Sequence, residues 1–385
     1  MMIPEIVLVG PVEDMSGAGE ATRNIYDAVM GLGLKIKIVP TEEPGRAKIN
    51  IPNEMQDRYA FGVNRDDVRP MTALHILGAN SPVLSIREAG VQVSLSMTGG
   101  IKCPDNTQMK LASNGFKENW VPAKSMEAGW KSGGSAIANT VRYVPIGVDV
   151  ERFNPNVKKL NIKQLQDVKN PVVFLLSEEW TKIKSQEMVV STFLKEFKDC
   201  SDAYLVIKFT SDPAGQIKTA IKQRIMNERM LTGSSANVLL LPDYMEYELV
   251  PSLFKTASFF VSTSKLEAWP TSALQAMACG VPVIAPNSGG YAEVIDGTNG
   301  YPVKSTETQI NDRNFASQNP SYTGHSWYEL SPQSLAVRMK QAYDEYKNGD
   351  GSYEAKAKAS RETALKHNFN NLAGRMVVQL GKFFN

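Results

Sequence analysis

Ser264-Lys-Leu-Glu-Ala-Trp-Pro-Thr-Ser-Ala-Leu-Gln-Ala-Met-Ala-Cys-Gly-Val-Pro-Val-Ile-Ala285 decides how the rest of the chain is read. Just upstream, Phe259-Phe260-Val261 is an aromatic and β-branched run followed by Ser and Thr, the composition of a strand. Thr271 or Ser272 is placed to cap a helix that begins just after Pro270, and Gly280 supplies a left-handed stop. Val281-Pro-Val-Ile-Ala285 then has the apolar continuity of a strand buried on both faces, as in a parallel sheet. The unit is β-loop-α-β, and Glu267 falls at the carboxyl end of its first strand, the edge where open α/β sheets bind ligands. The helix start beside it presents unpaired N–H groups and a partial positive charge, which suit a phosphate.

Outward from this unit the same rhythm repeats. Ile6-Val-Leu-Val-Gly10 reads as a strand, and Ala21, Ile25, Ala28, Val29 and Leu32 mark the apolar face of a helix after it. Lys35–Val39, Ala73–Leu77, Val91–Met97, Glu118–Val121 and Val141–Val144 read as further strands. The pattern restarts at Val172–Leu176 and continues through Tyr204–Phe209 and Val238–Leu241 to Phe259. Alternating strands and helices predict parallel sheets. Between the two runs lie Pro145-Ile-Gly-Val-Asp-Val-Glu-Arg-Phe-Asn-Pro155 and a Lys-rich polar stretch, a linker by composition. We therefore expect residues 1–150 and 151–365 to form two domains, with residues 366–385 a closing helix. Residues 305–330, rich in Thr, Asn, Ser and Gln, read as a surface loop or insertion.

A chain of 385 residues is long enough for two ordinary cores. Its 42 Lys and Arg against 40 Asp and Glu argue against a broad nucleic-acid footprint. Cys103, Cys200 and Cys279 are isolated and lack metal-ligand spacing, which points to a reducing, cytoplasmic setting. His75, His325 and His367 form neither a metal cluster nor a triad. No run approaches the length of a membrane span, and Met-Met-Ile-Pro-Glu5 has no basic leader. The expectation is a soluble protein.

The stretch around Glu267 resembles the Glu-x7-Glu signature of the retaining nucleotide-sugar transferases of glycosyltransferase family 4. Glu267, Trp269, Ala276, Met277, Ala278, Gly280, Pro282 and Val283 match it, while Pro270 replaces a Gly and Gln275 replaces the second Glu. The Pro145–Pro155 passage resembles the one that ends the family's first domain. The resemblance covers nearly the whole chain and implies the GT-B fold: two Rossmann-like α/β domains facing a cleft, with the last helix crossing back onto the first.

Carried over residue by residue, the resemblance makes Glu267 the acceptor of hydrogen bonds from the donor sugar and Lys184 a diphosphate contact. Neither Glu178 nor Glu179 can replace the family's basic residue there, so Lys182 is the candidate substitute. Gln275 would meet the ribose hydroxyls, more weakly than the family's Glu because it offers one acceptor oxygen and no charge; restoring Glu there is expected to tighten donor binding. Trp269, Pro270, Thr271 and Ser272 line the same loop and helix start. Tyr244 is a candidate stacking partner for the base, and Gly17 and Gly19 open the first helix at the opposite sheet edge. The family's first-domain His is absent from Ser94-Leu-Ser-Met-Thr98.

The implied activity is retaining transfer of a hexose from a UDP- or GDP-linked sugar to an unidentified acceptor, with no metal required. The alternative is a nucleotide-sugar-binding protein without transfer activity, motivated by Gln275, Glu179 and the absent His. A GT-B epimerase would need several placed acids and a cleft His that the sequence does not offer.

Overall fold

The computed structural model describes residues 5–41, 48–59, 71–77, 86, 89–97, 99–132, 135–209, 215–241 and 245–383. β1 (Glu5–Gly10), β2 (Lys35–Pro40), β3 (Met71–Leu77), β4 (Val91–Ser96), β5 (Glu118–Val121) and β6 (Val141–Tyr143) form one sheet in the order β2-β1-β3-β4-β5-β6. β7 (Val172–Ser177), β8 (Ala203–Lys208), β9 (Asn237–Leu240), β10 (Phe259–Val261), β11 (Val283–Pro286) and β12 (Gly300–Val303) form the second, in the order β12-β11-β10-β7-β8-β9. Every pairing in both sheets is parallel. The protein therefore has the expected two-sheet α/β architecture of a GT-B fold.

The apolar runs explain the sheets. Val172 through Leu176 are all buried, because helices cover both faces of β7. On one face Phe174 stacks on Phe259 at 5.4 Å and meets Phe193 and Phe197 at 5.9 and 5.2 Å. Each such ring, removed from water, contributes roughly 1.5–3 kcal/mol.

In the second sheet the strand order reverses between β7 and β10, and in the first between β1 and β3. Crevices open at the carboxyl ends of strands where the order reverses, so the loops after β1, β7 and β10 are the ones the fold aims at a ligand.

Three local expectations are corrected. Thr271 does not cap its helix. It is the first residue of Thr271–Ala278, the cap position is Pro270 without a side-chain bond, and the Thr271 amide turns back to the Trp269 carbonyl at 2.9 Å. The next strand starts at Val283, since the Val281 amide is taken by the Ala276 carbonyl of the preceding helix at 3.0 Å and Pro282 has no N–H to give. Residues 305–330 are not a plain surface loop. β13 (Ser305–Gln309) and β14 (Ser326–Leu330) pair antiparallel, with the helix Arg313–Gln318 between them. This insertion has its own small core of Ile310, Phe315, Tyr322 and Trp327, closed over Leu266.

The two halves are joined twice. The backbone of Val148 bonds to His367 and Phe369 at 2.9 and 3.0 Å, and the final helix Phe369–Gly381 buries Met376 and Leu380 in the core that also holds Ala21 and Ile25. Gln379 then reaches Glu118 of the first sheet at 2.9 Å.

Candidate functional site

A cleft of about 620 Å³ lies at the carboxyl edges of both sheets. Met15 to Ala18 supply one wall, and residues 177–184, Leu266, Glu267, residues 269–272 and Tyr291 supply the other. Phe315, Gln318, Asn319 and Tyr322 of the insertion close one side, beside Met97 and Gly99. The insertion is fastened across the cleft, because the Tyr322 hydroxyl donates to the Gly99 carbonyl at 2.9 Å.

Of the residues singled out from sequence, Glu267, Lys184, Lys182, Trp269, Pro270, Thr271, Ser272 and Gly17 all line this cleft. Gly19 does not. A side chain there would drive a Cβ to 2.1 Å from the Asp14 carbonyl oxygen, so glycine is required by the turn itself. Gln275 also lies outside the lining. It is buried, and its Nε2 donates to Oε1 of Glu20 at 3.3 Å. Tyr244 lies outside the described residues.

The centre of the site is a knot of charge. Lys184 Nζ is 2.5 Å from Glu267 Oε2 and 3.4 Å from Glu178 Oε1. Ser262 donates to Glu178 Oε2 at 2.9 Å. The Tyr291 hydroxyl is 2.6 Å from Ser262 Oγ and lies 3.3 and 3.4 Å from Glu178 and Glu267. Burial pushes the Glu178 carboxyl up, against the pull of Lys184, while Glu267 nearby adds to the push. Burial also works against the Lys184 charge, but the two carboxylates outweigh it and hold the ammonium above the ordinary lysine value. Burial, Glu178 and Glu267 together raise the Tyr291 phenol well above its ordinary range, so it is a fixed donor.

Lys182 is the more exposed lysine, 3.1 Å from Asp312, whose Oδ1 also caps the Arg313–Gln318 helix through the Phe315 amide. Trp269 is buried, with its indole tilted against His367 at 5.7 Å. Cys279 is buried beneath the helix, where burial raises its thiol to about 12 and leaves it inert.

Sequence reasoning missed Glu178 and Tyr291. In the sequence Glu178 reads only as an acid unable to neutralise phosphate, and nothing distinguishes it from Glu179 until burial is known. Tyr291 follows Ser288-Gly-Gly290, and a Tyr beside glycines does not announce a cleft. A second cluster joins the halves away from the cleft. Glu20, buried, accepts from Tyr247 at 2.6 Å and pairs with Arg23 at 3.0 Å and Arg152 at 3.5 Å. Burial opposes its charge, but the two guanidinium groups hold its carboxyl below the ordinary value. Among the described residues, no three His, Cys, Asp or Glu are grouped to hold a metal ion. None of the described helices is long and apolar enough to cross a membrane.

The chain is similar to known glycosyltransferases in part of its sequence and in its fold. The profile of the family described as "Glycosyl transferases group 1" matches residues 219–313. A GDP-mannose-dependent monoacylated alpha-(1-6)-phosphatidylinositol monomannoside mannosyltransferase from Corynebacterium glutamicum is 26% identical over 178 residues, 44% of each chain. The chain matches less than half the length of such curated relatives. Among solved structures, a glycosyltransferase from Rickettsia africae superposes with a TM-score of 0.68 at 14% identity, covering 100% of this chain and 99% of the other. The HepE protein of Anabaena, in complex with UDP and glucose, gives 0.64 at 12% identity and covers 98% of this chain and 100% of its own. The fold is thus that of the GT-B glycosyltransferases, and the matched sequence runs through the loop and helix that carry Glu267.

Proposed function

We propose that this protein is a retaining glycosyltransferase of the family 4 type, which moves a hexose from a UDP- or GDP-linked donor to an acceptor hydroxyl. The observation that carries the reading is the 2.5 Å pairing of Lys184 with Glu267 at the topological switch point, beside the start of the Thr271–Ala278 helix. The diphosphate would lie against that helix start and Lys184, with Lys182 at the outer end. The helix N–H groups and the ammonium stabilise the charge that develops as the sugar leaves, the work a bound cation does in other transferases. Glu267 would take hydrogen bonds from the sugar hydroxyls.

In the reaction the acceptor oxygen bonds to the anomeric carbon on the face from which the phosphate departs. The bond from that carbon to the phosphate oxygen breaks, and the acceptor's proton passes to the departing phosphate. This assignment asks no protein side chain to act as general base.

Incubating the protein with radiolabelled UDP-glucose, UDP-N-acetylglucosamine and GDP-mannose, with and without EDTA, tests the reading. Slow release of free sugar from one donor, unchanged by EDTA, is expected. Saturable binding of a donor without any release would favour a binding protein that has lost transfer. Absence of both would remove the nucleotide-sugar reading. We place the protein in the cytoplasm.

A further inference from the structure

The cleft that is to receive a diphosphate is itself acidic. Three carboxylates line it, Glu178, Glu179 and Glu267, against two ammonium groups, Lys182 and Lys184. Neither ammonium is uncommitted. Lys184 bridges Glu267 and Glu178, and Lys182 meets Asp312 at 3.1 Å. Glu178 is the deepest member, its side chain only 4% exposed, and it shares the Tyr291 hydroxyl with Glu267.

A ligand phosphate that takes a bond from Lys184 draws the one positive charge away from two neighbouring carboxylates. Two carboxylates in one poorly solvated site do not both stay ionised once their counter-charge is shared with an anion. The negative charge brought by the ligand acts in the same direction.

We propose that binding of a diphosphate-bearing donor in this cleft is coupled to uptake of about one proton by the Glu178–Glu267 pair, and that Glu178 is the residue that creates the coupling. The inference rests on the nucleotide-sugar reading of the cleft. The proton comes from solvent and converts a carboxylate to a carboxyl group, with no other bond made or broken.

Among the described residues, Lys184 is the one cation paired with Glu178. Its own loop presents Glu179, Lys182 and Lys184, the loop after β10 presents Glu267 and the neutral Ser262, and the turn Gly289–Glu293 presents Tyr291. Lys265 is engaged by Glu329 at 2.7 Å. Burial has already moved Glu178 toward the protonated form, and Tyr291 is protonated throughout the neutral range. The sign follows: a donor that raises the proton affinity of the pair binds more tightly as pH falls. Between the free-state and bound-state titrations, the dissociation constant rises by up to about tenfold per pH unit.

Isothermal titration calorimetry with UDP-glucose and GDP-mannose, in buffers of differing ionisation enthalpy between about pH 6 and 9, reads the protons directly. A sugar nucleotide's diphosphate diester does not titrate there, and below about pH 8 its base stays protonated as well, so uptake measured between about pH 6 and 8 belongs to the protein. The expected result is uptake approaching one proton per donor in the wild-type chain and none in Glu178→Gln, with the thermal unfolding of the variant recorded alongside. The wild-type titration stands even if the variant folds poorly. Saturable binding without proton uptake overturns the inference alone. Uptake that survives in a folded Glu178→Gln overturns the role of Glu178. Failure of both donors to bind removes the nucleotide-sugar reading and the inference with it.

Discussion

Gln275 and Glu20 are partners across the two halves of the molecule, the amide Nε2 of one donating to the carboxylate Oε1 of the other at 3.3 Å. Gln275 belongs to the helix Thr271–Ala278 of the second half, and Glu20 to the first helix of the opposite half. This changes what substitution there should do. Glu in place of Gln275 removes the donor and sets a second carboxylate beside a buried one, with Arg23 and Arg152 offsetting part of the repulsion. We expect Gln275→Glu to lower stability by about 1–3 kcal/mol. The double variant with Glu20→Gln should recover much of that, because the two sites are in direct contact. Denaturant unfolding of the four proteins in the cycle checks it; additive losses would show that the contact carries no energy.

Glu267→Ala should leave the fold intact and reduce transfer by about a hundredfold or more. Its carboxylate bonds to Lys184 and Tyr291 at the cleft and to no element of either sheet. Turnover with the true donor is the measurement, and near wild-type activity would remove Glu267 from the site.

Lys184→Ala is expected to weaken a sugar nucleotide about ten- to a hundredfold, the loss of one charge-assisted bond, and to affect the nucleoside far less. The same variant leaves Glu178 and Glu267 facing each other without a cation, so its unfolding temperature should fall as well. Adding Glu178→Gln should restore stability but not affinity. Equal losses for nucleoside and sugar nucleotide would make the effect nonspecific.

His75 gives the first half an acid sensitivity. It is fully buried on β3, edge-on to Phe116 at 4.9 Å, and burial lowers its imidazole from 6.5 to about 4. The unfolded chain therefore binds a proton between those values that the folded chain does not. Stability from this residue is complete above about pH 6.5 and is lost as pH falls toward about 4, by at most about 3 kcal/mol. Urea midpoints at pH 7.5 and pH 5, for wild type and His75→Leu, should show a shallower pH slope in the variant.

Gly147→Ala should be severely destabilising, by more than about 3 kcal/mol, because a Cβ at that position would meet the Phe369 Cα at 2.1 Å. A stable variant, judged by thermal unfolding, would mean that the two strands of chain separate there at little cost.

The parallel sheets were legible because their strands are unbroken apolar runs such as Val172–Leu176, a pattern that leaves little choice of face. The cleft edge was legible for the same reason, since it follows from where β7 and β10 end. The pair β13–β14 was not. Ser305-Thr-Glu-Thr-Gln309 has no alternation to read, and it is a strand only because Ser326–Leu330 lies opposite it and Phe315, Tyr322 and Trp327 pin the insertion down. The place of Gln275 was equally hidden, since its partner lies 255 residues away. Position 275 is about one helical turn past Thr271, but that spacing does not say which half of the molecule meets it.

Val148 lies where the chain first leaves one half, and His367 to Phe369 where it returns, and the two passages are bonded side by side. Bodies tethered at two adjacent points keep a single easy axis of rotation, the line through the tethers, and resist sliding. Swinging the halves apart would leave the Val148–Phe369 bonds in place while breaking Tyr322–Gly99, Ser125–Glu293 and Gln275–Glu20. The insertion belongs to the second half, and with Tyr322 bonded to Gly99 that side of the cleft stays closed.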